Sequence, residues 1–179
     1  MWDQRINPLA FEKAEHFINL AYKQRENDFM LSVLYSQISF TRAYFFENDT
    51  KVQDSIFYQG SQSSEKAVFA HEDFIPIYNS SKGDSAFKLL SAIADAPIST
   101  VPGLYWWGVN LAMYLNNQPV LDRINYRELL EVIMHRVISL DPGFYFGGPY
   151  RFFGLLYTRI PGIELSQAKT YFDQAITAH

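Results

Sequence analysis

The stretch YRFFGLLYTRIPGIELSQAKTYFDQA, residues 150–175, decides the fold class of this 179-residue chain. Its first half places large, large, small and aromatic side chains at relative positions 0, 3, 4 and 7, and its second half places small, aromatic and small ones at 0, 4 and 7. The residues concerned are Tyr150, Phe153, Gly154 and Tyr157, then Ala168, Phe172 and Ala175. Because residues at these spacings share one face of an α-helix, the stretch predicts two helices. Glycine or alanine at the crowded positions indicates a closely packed antiparallel hairpin.

Similar patterns occur elsewhere in the chain. The first pattern is met again by Leu104, Trp107, Gly108 and Leu111. The positions of the second are occupied, with larger side chains, by Leu130, Met134 and Val137, and Ala14, Ile18 and Ala21 supply another second helix near the start. Hairpins that repeat about every 34 residues, each completing the apolar face of its neighbour, are typical of tetratricopeptide repeats. We therefore predict an all-α fold of stacked antiparallel helical hairpins, a tetratricopeptide-like α-solenoid in which residues 1–179 form one domain. A plain, non-repetitive helical bundle is the alternative.

Capping residues and apolar periodicity divide the rest of the chain into helices. Asn7 and Asp28 are predicted N-caps, and Asn125 with Glu128 resembles a capping box. Segments 71–84 and 97–103 contain proline, glycine or serine and are predicted connections. No sheet is expected, because no alternating apolar pattern lies beside a tight turn. The predicted helices cover residues 9–24, 29–46, 50–70, 86–94, 104–115, 125–139, 148–158 and 165–177, with Gly60, Ser63, Ser64 and Ala67 on one close-packing side of the third.

Composition excludes several classes of function. The net charge is −4, with acids and bases mixed along the chain, so nucleic acid is not an expected partner. There is no apolar run long enough to cross a bilayer. Because the sequence contains no cysteine, it forms no disulfide, thiolate metal site or thiol nucleophile. The opening Met1-Trp2-Asp3 does not resemble a signal peptide.

No motif predicts catalysis, a metal or a cofactor. The four histidines are scattered, without a His-x-x-x-His pair, so we expect no metal site. Gly147-Gly148-Pro149 lacks the Lys-Ser/Thr of a phosphate loop and is interpreted as a tight connection into the helix that follows. The start of that helix, with Arg151 nearby, is a candidate for anion binding. The pairs Glu12/Glu15 and Glu128/Glu131 are interpreted as solvated helix faces. We therefore predict a protein that is not an enzyme and has no cofactor.

Runs of aromatic residues supply the candidate binding site. Tyr105, Trp106 and Trp107 are adjacent on a predicted helix, so they point in three directions and are not expected to enter one core together. Trp107 fits the packing pattern, which leaves Tyr105 and Trp106 for a groove or subunit interface. The run 144–146 raises the same question in a loop. Core packing is the alternative for each ring. The candidate groove or interface residues are Tyr105, Trp106, Phe144, Tyr145 and Arg151.

Two segments carry a family resemblance. These are LYWWGVNL, residues 104–111, and LDPGFYFGGPYRFFG, residues 140–154, followed by Ile160-Pro161-Gly162. The chain resembles the T component of tripartite ATP-independent periplasmic (TRAP) transporter systems, in which a WWG helix precedes an LDP-x-aromatic-GG-x-x-R-x-x-G segment and a Leu/Ile-Pro-Gly turn. The resemblance implies a periplasmic lipoprotein of cryptic tetratricopeptide hairpins that forms a homotrimer and partners the substrate-binding subunit of the transporter.

The resemblance also bears on what this sequence contains. Family members usually carry an export signal with a lipid-bearing cysteine and continue through at least one more helical pair. We therefore expect a fragment that reaches a membrane only through a missing lipid anchor. Combined with the aromatic runs, this predicts an accessory component that binds the substrate-binding subunit or an apolar or amphipathic organic ligand. The alternative is a generic tetratricopeptide adaptor that binds a peptide, with a cytoplasmic location.

Overall fold

The computed structural model describes residues 7–25, 27–159 and 164–178. This part of the chain contains ten α-helices, one 3₁₀ turn at Ile98–Thr100, and no strand. The all-α prediction is therefore confirmed. The predicted turn at residues 160–162 lies outside the described residues. The helices are α1 (Pro8–Gln24), α2 (Phe29–Phe45), α3 (Thr50–Ala70), α4 (Phe74–Ser80), α5 (Ser85–Ala94), α6 (Val101–Leu115), α7 (Val120–Asn125), α8 (Arg127–Leu140), α9 (Phe144–Tyr157) and α10 (Leu165–Thr177).

Short polar side chains fix where several helices begin. Asn7 accepts hydrogen bonds from the amides of Leu9 and Ala10, and Asp28 accepts one from Leu31 N at 3.0 Å. Both predicted caps are thus confirmed, since each satisfies amides that have no partner within the helix. Asp49 and Asp84 cap α3 and α5 in the same way.

The segment 71–84, predicted as a connection, contains helix α4. Pro76 is the third residue of this helix, where a residue still has no helical partner for its amide, so proline is tolerated there. Similarly, α6 begins at Val101 with Pro102 in its first turn, three residues earlier than predicted. In both places the proline marks a helix start rather than a loop.

Asn125 does not cap a helix, contrary to the prediction. It is the last residue of the short helix α7, and α8 begins at Arg127 without a side-chain cap. Because an N-cap residue needs an extended backbone and Asn125 is helical, its side chain is not available for that role. The hydrogen bond from Tyr126 N to Asp122 O at 3.1 Å continues α7 up to the new helix.

Contacts between α2, α3 and α6 show how the hairpins stack. Ser36 Oγ donates to Gly60 O at 2.7 Å, and Ser63 Oγ donates to Ser32 O at 3.1 Å, so the sequence numbers run in opposite directions and the two helices are antiparallel. Asn110 Nδ2 on α6 donates to Ser36 O at 3.1 Å. The predicted small-residue side of α3 is buried between its neighbours, as expected; it comprises Gly60, Ser63, Ser64 and Ala67.

The quoted hairpin forms as predicted from α9 and α10. Ala168 and Ala175 are buried, and a Cβ atom on Gly154 would lie 2.6 Å from Phe172 Cε1. Helix α9 also packs on α8, and α8 packs on α6. Gly108 of α6 meets Met134 of α8 in the same close manner, which places the second predicted glycine at a helix crossing.

Candidate functional site

Helix α6 is enclosed by its neighbours, so that all three of its adjacent aromatic residues are buried. Tyr105, Trp106 and Trp107 are 5%, 3% and 1% exposed. The expectation that they could not share the interior is therefore wrong. The physical reason is that α6 has packing partners in all three directions, because α2, α3 and the start of α9 each present aromatic rings. Within this chain, Tyr105 and Trp106 do not line an open groove.

The start of α9 has an unusual backbone. Tyr145, Phe146 and Gly147 have φ angles of 49°, 61° and 67°, which place three consecutive residues in the left-handed region. For the two aromatic residues this conformation costs about 1–2 kcal/mol each. Right-handed helix resumes at Gly148, where the sequence predicted a helix start. We call residues 145–147 the left-handed turn.

Arg151, which lies one helical turn further along α9, stabilises the left-handed turn through hydrogen bonds. Its Nη2 atom donates to Tyr145 O at 2.8 Å, and its Nη1 atom donates to Phe146 O. Charged hydrogen bonds of this kind are stronger than neutral ones, so Arg151 offsets part of the backbone strain. The guanidinium of Arg151 thus has a structural role on these two carbonyl groups, and the anion binding suggested at this helix start stays a prediction.

The five predicted site residues come together around this turn. The ring of Tyr105 lies 5.2 Å from that of Phe144 and 5.7 Å from that of Tyr145, and the ring of Trp106 lies 5.0 Å from that of Tyr145. Arg151 joins this group through its hydrogen bonds to the backbone carbonyl groups of Tyr145 and Phe146. We call Tyr105, Trp106, Phe144 and Tyr145 the aromatic cluster. Its members belong to α6 and α9, which are separated by about thirty residues in the sequence.

Burial dominates the electrostatics of the cluster. It raises the pKa of Tyr105 well above its usual range, while the positive charge of Arg151 acts in the opposite direction. The phenol is therefore a neutral packing group at physiological pH. Gln37 Nε2 of α2 donates to the hydroxyl oxygen of Tyr145 at 3.3 Å, which connects the outer edge of the cluster to α2.

Phe146 was noted in the sequence but was not included among the candidate site residues. It projects from the left-handed turn with half of its side chain exposed, whereas Phe144 and Tyr145 are partly buried. The sequence did not show that the third ring of this run is the exposed one, because its exposure depends on the left-handed turn. The accessible face of this region is therefore formed by Phe146 over the aromatic cluster.

A groove of about 530 Å³ lies elsewhere on the surface and was not predicted. It is formed by residues of α3, of α6 and the turn that follows it, of α7, and by Arg159 just after α9, so no local sequence pattern predicts it. Its lining residues are Gln53, Phe57, Met113, Asn116, Asn117, Arg123 and Arg159.

Two further properties concern the described residues, 7–25, 27–159 and 164–178. No helix among them combines the length and apolar character needed to cross a bilayer. Nor do they contain three or more histidine or carboxylate side chains grouped closely enough to hold a metal ion.

Comparison with known proteins gives a family match. Residues 56–178 match the family described as TRAP transporter T-component, and this range includes both α6 and the left-handed turn. No curated protein matches the sequence significantly. The family resemblance read from residues 104–111 and 140–154 is therefore confirmed. Because the match covers most of the chain, this protein belongs to the TRAP transporter T-component family, an accessory component of these transporter systems.

Proposed function

We propose that this protein is a non-enzymatic component of a periplasmic TRAP transporter and that it binds the substrate-binding subunit of that system. The family match carries the proposal, because it covers the two segments that build the aromatic cluster. The generic peptide-binding adaptor is less well supported. A repeat adaptor does not need the segments 104–111 and 140–154, whereas the matched family range contains both.

The left-handed turn is the proposed contact surface. Phe146 is half exposed, on a backbone that costs energy to form and that Arg151 stabilises. Strained backbone of this kind concentrates at functional positions. An aromatic side chain held on a rigid turn also loses little conformational freedom when it is buried by a partner, which favours binding. The backbone of this surface would be kept in place by Arg151, Phe144 and Tyr145, which would not contact the partner themselves.

The test is the affinity for the cognate substrate-binding subunit, measured by calorimetry. We expect Phe146→Ala to weaken binding by about tenfold or more, as truncation of a central aromatic contact does. Phe87→Ala is the matched control, because Phe87 is an exposed phenylalanine on α5, 63% accessible, and lies outside the turn. Equal affinities for the wild-type protein and Phe146→Ala would overturn the proposed contact.

An organic ligand is a second part of the proposal. The aromatic cluster is closed within one protomer, so an apolar or amphipathic ligand would have to bind at its rim, near Phe146, or between protomers. Tryptophan emission tests this, because Trp106 lies 5.0 Å from Tyr145. A ligand at the rim would change the emission of the wild-type protein and not that of a Trp106→Phe variant. Identical changes in both proteins would contradict the assignment.

We further propose a lipid-anchored periplasmic homotrimer. Exposed apolar residues on α1 support self-association, since Leu9 and Phe17 are 70% and 68% accessible. Sedimentation of the natural full-length protein, without its lipid, should give three times the protomer mass at micromolar concentration. A purely monomeric species would argue against the trimer. Fractionation of cells that express the natural gene tests the location, and a cytoplasmic protein would favour the adaptor alternative.

A further inference from the structure

The groove between α3, α6, α7 and the end of α9 has the dimensions of a small-molecule site. Its volume of about 530 Å³ lies within the usual range of about 300–1,000 Å³ for ligand pockets. Phe57, only 3% exposed, and the partly buried Met113 give it an apolar base. It is lined by none of the residues of the aromatic cluster, so its occupation is a separate question from docking at the left-handed turn.

Two arginines bring positive charge to this groove. Arg123 of α7 and Arg159 after α9 are both exposed lining residues, and the described part of the chain gives neither guanidinium an ion pair or hydrogen bond. By contrast, Arg42, Arg127, Arg136 and Arg151 each have a protein partner. Among the described residues that line the groove there is no carboxylate; Asp54, which accepts a hydrogen bond from the lining residue Asn117, lies next to it.

Amide side chains complete the polar part of the lining. Asn117 Nδ2 donates to Asp54 Oδ1 at 2.8 Å, and Gln53 Nε2 donates to Glu47 O at 2.6 Å, so these two side chains are held in position. Among the described residues, the Asn116 side chain makes one weak contact, from its Nδ2 atom to Met113 Sδ at 3.7 Å. Its amide, which is part of the groove lining, therefore retains hydrogen-bonding capacity.

Helix α7 has a composition suited to covering a partly apolar ligand. None of its residues is buried, and Val120, Leu121 and Ile124 are each more than 60% accessible. An exposed apolar helix beside a groove is stabilised when it gains apolar contacts. The same helix supplies Arg123, so a ligand with an anionic head and an apolar body would contact both kinds of side chain.

We propose that this groove binds a small organic carboxylate, with Arg123 and Arg159 as counter-ions and with Phe57 and Met113 contacting its apolar part. Guanidinium groups recognise carboxylates through paired hydrogen bonds, which selects this chemistry over a neutral or cationic ligand. The groove has room for a compact molecule, which favours a small acid over a segment of an acidic protein.

Hexanoate is the probe that tests the proposal, with hexanol as its uncharged counterpart. Titration of the isotope-labelled chain alone, followed by NMR, reports on the side-chain amides of Asn116 and Asn117. We expect saturable shifts with hexanoate, binding weakened at least about tenfold for hexanol, and weaker binding at high salt because exposed charges are screened. Shifts of equal size and midpoint for both probes would overturn the proposal. So would the absence of shifts with hexanoate up to about 20 mM, a concentration at which even weak millimolar binding is detected.

Single variants locate the site. Arg123→Gln and Arg159→Gln should each weaken hexanoate binding severalfold, and the double variant should abolish it. Arg25→Gln is the matched control, because Arg25 is an exposed arginine at the end of α1 and pairs only with Asp28 in the described chain. Unchanged affinity in the double variant would place the ligand elsewhere and contradict the proposal. Phe146→Ala should bind hexanoate as the wild-type protein does, because Phe146 does not line the groove. This result would separate the groove from the proposed contact with the substrate-binding subunit.

Discussion

Gly148 lies directly against Tyr105: a Cβ atom placed on Gly148 would be 2.5 Å from the Tyr105 hydroxyl oxygen and 2.8 Å from its ring carbons Cε2 and Cζ. This approach joins the two sequence segments that identify the family, since Tyr105 precedes the Trp-Trp-Gly of α6 and Gly148 follows the left-handed turn. The glycine is required because a larger residue would push the turn away from the aromatic cluster.

Gly148→Ala should lower the free energy of unfolding by about 1–3 kcal/mol, because the added methyl group overpacks a buried contact. Urea unfolding measures this. Combining it with Tyr105→Leu should restore part of the loss, so that the two substitutions are not additive. Leu155→Ala on the exposed side of α9 is the control and should change stability little. Simple additivity would show that Gly148 and Tyr105 do not meet.

Gly154→Leu should destabilise the final hairpin by about 1–3 kcal/mol, since Phe172 leaves no room for a side chain. The smaller Gly154→Ala should cost less, because alanine favours the helix while adding only one methyl group. Shortening the partner in Gly154→Ala/Phe172→Ala should relieve the clash, although it sacrifices the buried area of the ring. Thermal unfolding ranks the variants, and an unchanged melting temperature in Gly154→Leu would refute the crossing.

Arg151→Gln should release the left-handed turn, because it removes charged hydrogen bonds to the carbonyl groups of Tyr145 and Phe146. We expect a loss of about 1.5–3 kcal/mol, the range for hydrogen bonds to charged groups. Tryptophan emission should change as well, because Tyr145 packs on Trp106. Arg127→Gln, which breaks only an exposed ion pair on α8, is the control and should stay within about 1 kcal/mol of the wild-type protein. Equal behaviour of both variants would contradict the role of Arg151.

Glu65→Gln should stabilise the protein at pH 7 and have little effect at pH 4. Burial raises the pKa of the Glu65 carboxyl above its ordinary value of 4.5. The folded protein therefore binds this proton more tightly than the unfolded chain, and its contribution to stability is present below pH 4.5 and lost as the pH rises through the folded pKa. Melting temperatures of both proteins from pH 4 to pH 7 measure the effect. A difference that grows toward acid pH would have the opposite sign and refute it.

Several parts of this protein were determined locally and could be predicted from the sequence. Asn7 and Asp28 cap helices because a short polar side chain reaches the nearest free amides, which depends on neighbouring residues alone. The spacing of Gly154, Ala168 and Ala175 predicted their hairpin because helical periodicity determines which residues share a face. Pro76 and Asn125 were misread because proline also starts helices and because an asparagine can end one as well as begin one.

The site depended on contacts that sequence spacing does not encode. The five residues proposed for it do meet, yet Tyr105 and Trp106 are buried, because α2, α3 and α9 surround α6 on the sides that a single helix leaves open. The left-handed backbone that exposes Phe146 needs Arg151 to satisfy its carbonyl groups, and the groove of Arg123 and Arg159 needs four elements to converge. Periodicity and capping act over a few residues, so the sequence by itself determined most of the helices, the caps at Asn7 and Asp28, and the final hairpin. Which aromatic rings are covered and which charges converge depends on segments far apart in the chain, and only the tertiary structure decided those.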